Sequence, residues 1–101
     1  MIRFLLLVAV LASCSCGSFS SPHENFKGHM SHNINKRIDD PNTNWVRPEY
    51  LIGARTLANG NIENQYQWRG SCMYFFEFEV DTKKIVSWRF EGSEKDCQIA
   101  P

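Results

Sequence analysis

The sequence predicts a mainly β protein of the α+β class: a three-stranded antiparallel meander with one short N-terminal helix, after a disordered tether. Three observations indicate this fold. Aromatic and β-branched residues are concentrated in two runs, 72–80 and 85–91, as is typical of strands. The polar segment 81–84 joins these runs in the manner of a β-hairpin. A third run, 62–69, alternates between apolar and polar residues before them.

Length and composition indicate one small folded unit. The chain has 101 residues, which is enough for a single domain with a modest core. Its 11 basic and 11 acidic residues balance, so it lacks the basic excess that nucleic-acid binding needs. Aromatic residues make up 13% of the chain, a content that excludes a wholly disordered protein.

The first thirteen residues have the layout of an export signal. Arg3 precedes an uninterrupted apolar run, 4–11, which is far shorter than the roughly 20 residues of a membrane-spanning helix. A short positive segment followed by a brief apolar segment is typical of a signal peptide. The alternative for this run is a buried helix of the core.

The segment Leu11-Ala12-Ser13-Cys14 follows that apolar run and resembles the lipobox of bacterial lipoproteins. The resemblance implies that a diacylglyceryl group is attached to the Cys14 sulfur, that the signal peptide 1–13 is removed, and that the new amine is acylated. Ser15, in place of an acidic residue, resembles lipoproteins sorted to the periplasmic face of the outer membrane. The competing interpretation is ordinary cleavage near Ser13–Gly17, which yields a soluble secreted protein.

Residues 14–44 are predicted to be a flexible tether, because they are polar and their few apolar residues follow no period. All the histidines lie here: His23, His29 and His32. Their spacing matches no closed zinc or copper site, so a solvated tether is favoured over a metal site. Cys16 is interpreted as a free thiol or as a second candidate for modification.

The folded domain is predicted to cover residues 45–101. Pro48 and Gly53 stand where a short helix begins and ends, and the segment 45–52 is expected to cover the sheet. Asn59-Gly60 predicts a tight turn before the strand at 62–69.

Alternation assigns the side chains of the later strands to two faces. On the central strand, one apolar face comprises Cys72, Tyr74, Phe76, Phe78 and Val80, and the other face begins with Met73 and Phe75. On the last strand, one predicted face comprises Val86, Trp88 and Phe90, and the other comprises Ile85, Ser87, Arg89 and Glu91.

Cys72 and Cys97 lie on either side of the predicted hairpin. A disulfide between them would tie the C-terminal residues back to the start of the central strand. We therefore expect this pair to be bonded, which implies an oxidising compartment such as the periplasm.

A second resemblance covers about residues 50–97. It is carried by the following features: Leu57-Ala58-Asn59-Gly60-Asn61, the pair Tyr66 and Trp68, Cys72, Ile85-Val86-Ser87-Trp88, and Phe90-Glu91-Gly92 before Cys97. Together they resemble small bacterial lipoproteins with a helix and β-meander domain of the SmpA/OmlA type, one member of which belongs to the outer-membrane barrel-assembly machinery. Those domains have two longer helices before the sheet, whereas this sequence predicts one short helix.

These features favour a lipid-anchored binding or scaffolding module of the cell envelope, held on the membrane by its lipid and contacting an envelope protein. Met73, Phe75 and Arg89 are the candidate contact residues, and an open sheet edge is the other candidate contact surface; the alternative for the three residues is that they pack beneath the helix. A different functional class is a secreted or periplasmic inhibitor or exclusion factor that acts on an envelope enzyme or transfer apparatus.

An enzyme is the third class. Glu77 and Glu79 are the candidate acid and base, but no sequence around them predicts a cleft. The sequence therefore predicts no catalysis, no cofactor, no metal and no small-molecule substrate.

Overall fold

The computed structural model describes residues 21–100. These residues form one α-helix, one turn of 3-10 helix and one antiparallel sheet. The elements are α1 (Pro22–Ser31), the 3-10 turn (Pro48–Tyr50), β1 (Leu51–Thr56), β2 (Ile62–Gln67), β3 (Met73–Phe78) and β4 (Ile85–Glu91). The strand order is β1-β2-β3-β4, so each strand pairs with its neighbour in sequence. The α+β, mainly β class is confirmed, but the sheet has four strands rather than the predicted three.

The helix α1 lies within the segment that was predicted to be a flexible tether. Ser21 caps it, since the Ser21 hydroxyl accepts a hydrogen bond from the Glu24 amide at 3.1 Å, and Pro22 occupies the first turn. The helix carries an apolar stripe of only two residues, Phe26 and Met30, and both are fully buried. The tether prediction is therefore wrong for residues 21–44, because one turn-spaced apolar pair is enough to dock a capped helix on a sheet.

The side chain of Asn33 holds the loop after α1 in place by forming two hydrogen bonds with the backbone of Asn44. Asn33 is fully buried. Its amide nitrogen donates to the Asn44 carbonyl at 2.7 Å, and its amide oxygen accepts from the Asn44 backbone N–H at 2.7 Å. The Tyr74 hydroxyl then donates to the Trp45 carbonyl at 2.7 Å. Residues 33–45 are consequently ordered by buried polar groups that are fully paired.

The short helix predicted between Pro48 and Gly53 is also wrong. Pro48 does begin a helical turn, but the turn ends at Tyr50, and Leu51 is extended with φ −73° and ψ 124°. From there the chain forms β1, which pairs with β2 from Leu51↔Tyr66 to Thr56↔Ile62 and has a bulge between Leu51 and Gly53. Pairing with β2 satisfies backbone groups that a single helical turn leaves unpaired. The sheet is covered by α1 together with the segment that follows it, from which Trp45, Val46 and Tyr50 pack against the core.

The turn between β1 and β2 is confirmed at Asn59-Gly60. The Leu57 amide donates to the Asn61 carbonyl at 2.8 Å, and the Gly60 amide donates to the Leu57 carbonyl at 2.9 Å. Gly60 has φ 88°, in the left-handed region that glycine adopts without strain. This three-residue connection fixes the register of the hairpin.

One face of the sheet, which we call the covered face, packs against α1 and the loop. Phe26 of the helix packs on this face, where its ring meets those of Tyr74, Trp88 and Phe90 edge-on at centroid distances of 6.0–6.3 Å. The buried core comprises Phe26, Met30, Tyr66, Cys72, Tyr74, Phe76, Phe78, Ile85 and Cys97. The covered face therefore carries most of the apolar burial of the domain.

A bulge changes the faces predicted for the start of β4. The register shifts between Glu77 and Phe78, so that Phe78 pairs with Ile85. Ile85 is fully buried in the core and Val86 is exposed, the reverse of the predicted assignment. Trp88 and Phe90 lie on the covered face as predicted. Strict alternation failed at one residue because a bulge places two residues opposite one.

The C-terminal residues pack beside α1. Cys97 is bonded to Cys72, with their Cα atoms 5.1 Å apart. The Ile99 amide donates to the Pro22 carbonyl at 3.0 Å, and the Trp68 indole donates to the Gln98 carbonyl at 3.0 Å. The predicted Cys72–Cys97 bond is present, and it joins the end of the fold to the start of β3.

The two edges of the sheet differ. At the β4 edge, the Asn35 amide donates to the Ile85 carbonyl at 2.9 Å, and the Ile85 amide donates to the Lys36 carbonyl at 2.8 Å. An isolated bridge between Arg37 and Lys84 continues this pairing. Among residues 21–100, no segment pairs with the outer edge of β1.

Candidate functional site

The candidate contact residues lie on the face of the sheet that α1 does not cover. Met73, Phe75 and Arg89 occupy adjacent positions of β3 and β4, in the registers Met73↔Glu91 and Phe75↔Arg89. The alternative interpretation, that they pack beneath the helix, is wrong because the helix docks on the opposite face. We call the face that carries them the open face.

A carboxylate organises the centre of the open face. Glu63 of β2 accepts two hydrogen bonds from Arg89, at 2.9 Å from Nε and 3.0 Å from Nη2. It also accepts one from the Nε of Arg55 on β1 at 3.1 Å. The Glu63 side chain is only 8% exposed. A carboxylate this enclosed is stable because two guanidinium groups surround it.

The electrostatics follow from this geometry. The hydrogen bonds from Arg89, then those from Arg55, hold the pKa of the Glu63 carboxyl below its usual value, against the opposing effect of burial. The bonds that Arg89 donates to Glu63, with the one that it donates to Glu91 at 2.7 Å, raise the pKa of the Arg89 guanidinium. Glu63 is therefore ionised at neutral pH, and a charged pair rather than a proton donor lies at this site.

Phe75 is the apolar centre of the open face. The guanidinium carbon of Arg89 lies 3.7 Å from the centroid of the Phe75 ring, a cation–π contact. Phe75 is only 5% exposed. Beside it, the Gln65 amide contacts the Met73 sulfur at 3.0 Å. The three candidate residues are thus brought together with Glu63 and Gln65, and most of the Phe75 ring is already occupied by its neighbours.

The proposed acid and base residues hold structural hydrogen bonds. Glu77 accepts from the side-chain amides of Asn61 at 2.8 Å and Asn59 at 3.1 Å, and from the Ser87 hydroxyl at 3.1 Å. These bonds lower the pKa of the Glu77 carboxyl. Glu79 lies beyond the end of β3 and accepts from the Thr82 hydroxyl at 2.7 Å. Both carboxylates stabilise the ends of hairpins in this arrangement.

A small cleft of about 180 Å³ opens where the open face meets the β1 edge. Its lining comprises Gly53, Ala54, Arg55, Glu63, Gln65 and Phe75. It exists because Gly53 has no side chain: a Cβ there would meet only the Gln65 amide oxygen, at 3.8 Å. This cleft is the concave feature nearest the candidate residues, and it has both an apolar floor and a charged rim.

The three histidines lie in different surroundings: His23 packs against the sheet, whereas His29 and His32 line a surface groove. His23 packs edge-on to Phe90 at 5.2 Å, and its Nδ1 lies 2.7 Å from the Cys97 carbonyl. His29 and His32 line a shallow groove beside α1. Within residues 21–100, no group of three or more histidine, cysteine, aspartate or glutamate side chains is placed to hold a metal ion.

Sequence patterns alone missed the residues that organise the open face. Glu63 is one of the polar positions in the alternating run 62–69, and the sequence predicts no contact for it or for Arg55; the register Arg55↔Glu63 brings the two together across the β1–β2 hairpin. The Asn-Gly turn could have indicated this contact, because a three-residue loop fixes which residues lie opposite one another. The contact from Glu63 to Arg89 crosses β3 and has no local signal.

Cys14 and the lipobox lie outside the described residues, as does Cys16. Along the part of the chain that the structure covers, no helix is long and apolar enough to cross a membrane. A comparison of this chain with protein-family models, with curated proteins and with solved structures found no match.

Proposed function

We propose that this protein is a lipid-anchored binding or scaffolding module of the bacterial cell envelope, without catalysis, on the periplasmic face of the outer membrane. The observation that carries the proposal is the segment Leu11-Ala12-Ser13-Cys14 directly behind an apolar run of signal-peptide length. A lipid on Cys14 supplies membrane affinity through its buried methylene groups, at about 0.8 kcal/mol each.

The disulfide supports an exported protein. Cys72 and Cys97 are both fully buried in the core, and their bond joins the C-terminal segment to the start of β3. Disulfides of this structural kind persist in oxidising compartments and are rare in the cytosol. The periplasm satisfies that requirement.

The open face supports a binding role. Its charged groups are paired with each other around Glu63, and its apolar centre, Phe75, is shielded by Arg89. A rigid, pre-organised surface of this kind suits recognition, because few side chains need to be ordered when a partner binds.

Intact-mass measurement of the protein expressed in a bacterial host tests the anchor. We expect a mature mass that begins at Cys14 and carries acyl groups. Cys14→Ser should abolish both cleavage and acylation. Cys16→Ser is the matched control and should leave the acylated mass intact. An unmodified chain beginning near Gly17 would contradict the proposal and favour a soluble periplasmic or secreted protein.

Membrane fractionation tests the location. In an enterobacterial host, the acylated protein should sediment with the outer membrane. Ser15→Asp should shift it toward the inner membrane, since an acidic residue there departs from the pattern on which the outer-membrane assignment rests. Recovery of the unaltered protein with the inner membrane would refute the outer-membrane part of the proposal.

A further inference from the structure

Among residues 21–100, the outer edge of β1 is unpaired, and its protection is limited to one bulge and the exposed Arg55 side chain. Leu51 and Ile52 are exposed by 42% and 54%, and the strand contains no proline or lysine. Sheet edges are usually protected by such residues or by a covering segment. At the β4 edge, residues 35–37 provide that cover. Within the described chain, the β1 edge has no equivalent.

The backbone direction along β1 follows from the turn. The Leu57 amide points toward β2, where it donates to Asn61. Because backbone groups alternate in an antiparallel ladder, those of Arg55 and Gly53 also point toward β2, and those of Thr56 and Ala54 point outward. An extended chain laid along this edge therefore meets donors and acceptors at alternate residues.

The cleft at Gly53 determines which kind of side chain fits at the facing position of an added strand. A strand added beside β1 places every second side chain on the open face. The side chain opposite Gly53 enters the cleft of about 180 Å³, above the Phe75 ring. A large apolar or aromatic side chain fits this space because the glycine leaves it empty.

The positive charge of Arg55 determines which residue is favoured opposite it on an added strand. The Arg55 side chain is 66% exposed and bonds to Glu63 through Nε alone. Among residues 21–100, no acceptor bonds to its two Nη groups. A side chain opposite Arg55 on an added strand lies beside these donors, so an acidic residue is favoured there. Pairing β1 with a second copy of itself brings two Arg55 side chains near each other and supplies no such acid.

We propose that the β1 edge binds an extended peptide segment of a partner protein in antiparallel orientation, with an acidic residue opposite Arg55 and, two residues later, an aromatic residue in the Gly53 cleft. The order acidic-x-aromatic follows from the antiparallel direction. This inference deepens the proposed binding function by naming the recognition mode and the class of partner.

The test uses the full mature protein, purified from the envelope in detergent. The probe is a fluorescein-labelled peptide, Thr-Thr-Glu-Val-Phe-Thr-Thr, followed by fluorescence anisotropy. We expect saturable binding. Replacing Phe by Ala in the peptide should weaken binding by about tenfold, since an apolar side chain then no longer fills the cleft. Replacing Glu by Lys should weaken it by about threefold.

Variants of the protein separate the two contacts. Gly53→Val places a side chain in the cleft, where its Cβ contacts the Gln65 amide oxygen at 3.8 Å, and should weaken binding of the Phe peptide by about tenfold. Arg55→Glu should reverse the preference, so that the Lys peptide binds better than the Glu peptide. Ala54→Pro removes an outward donor and is tolerated on an edge strand, and it should also weaken binding. Circular dichroism checks that each variant is folded.

Absence of binding by the parent protein, or equal binding by folded Gly53→Val, would overturn the proposal. Lipidation does not enter the measurement, so a failure here is distinct from a failure of the mass experiment on Cys14. Isotope-labelled protein adds a second readout, because amide shifts should be concentrated in β1 rather than β4.

Discussion

The two faces of this sheet are stabilised by different physical forces. The covered face buries aromatic side chains against a helix that contributes only Phe26 and Met30. The open face holds one enclosed carboxylate, Glu63, between two arginines, with Phe75 beneath one of them. Apolar burial scales with area and is insensitive to pH, whereas the charge cluster depends on protonation. The same sheet can therefore be weakened on one face at a time.

The largest effect is expected on the covered face. Phe26→Ala should destabilise the domain by about 3–5 kcal/mol, the usual range for a fully buried aromatic residue, because Phe26 joins the helix to three aromatic rings of the sheet. Urea unfolding at pH 7 measures the change. Lys27→Ala, next to it on the exposed side of α1, is the control and should leave the midpoint nearly unchanged. Equal midpoints for parent and Phe26→Ala would show that α1 is not docked.

The disulfide belongs to the same face. The double variant Cys72→Ala with Cys97→Ala should lower stability by about 3–4 kcal/mol, on the model in which the bond restricts the unfolded chain; the two cysteines are 25 residues apart. Urea unfolding of the parent with and without reductant should reproduce the difference. If the reduced parent were as stable as the oxidised one, the bond would contribute nothing to the fold.

A smaller effect is expected on the open face. Glu63→Gln removes the charge that Arg89 and Arg55 share and should cost about 1–3 kcal/mol, the range for hydrogen bonds to charged groups. Glu91→Gln is the matched control, because Glu91 also bonds to Arg89 but is 51% exposed, and its loss should stay within about 0.5 kcal/mol. Equal losses for the two variants would show that enclosure of Glu63 is unimportant.

The pH dependence of the free energy of unfolding should distinguish the contribution of the open face from that of the covered face. The folded-state pKa of Glu63 is lowered from 4.5, first by its bonds to Arg89, and that of Glu77 is lowered by Asn61 and Asn59. Below about 4.5 the unfolded chain binds more protons than the folded one, so stability is complete above this pH and falls as pH drops toward the folded-state values. In Glu63→Gln the slope of stability against pH between 5 and 3 should be shallower, whereas Phe26→Ala should keep the parent slope.

The sheet was the part of the fold that sequence patterns predicted best. The strand bounds 85–91 and the Asn59-Gly60 turn match the structure because each depends on local chemistry: aromatic alternation and turn preference. The Cys72–Cys97 pair matches because the two cysteines lie on either side of the β3–β4 hairpin. The register of Ile85 was missed because a bulge leaves no mark in the composition.

The helix and the charge cluster were missed for different reasons. A pair such as Phe26 and Met30 is too short a pattern to stand out in a polar segment, although Ser21-Pro22 followed by Glu24 is a recognisable helix start. The contact between Glu63 and Arg89 joins strands that are not neighbours and becomes visible only when the register is known. Long-range polar contacts of this kind are not encoded by local periodicity.

The early start of α1 also limits how far the domain can move. Ser21 caps the helix, so only residues 15–20 separate Cys14 from the folded unit. The seven residue-to-residue steps from Cys14 to Ser21 span at most about 25 Å, compared with roughly 100 Å for a tether that continued to residue 44. A lipid at Cys14 would hold the domain close against the bilayer. The proteins within its reach would then be those embedded in that membrane or lying directly on it.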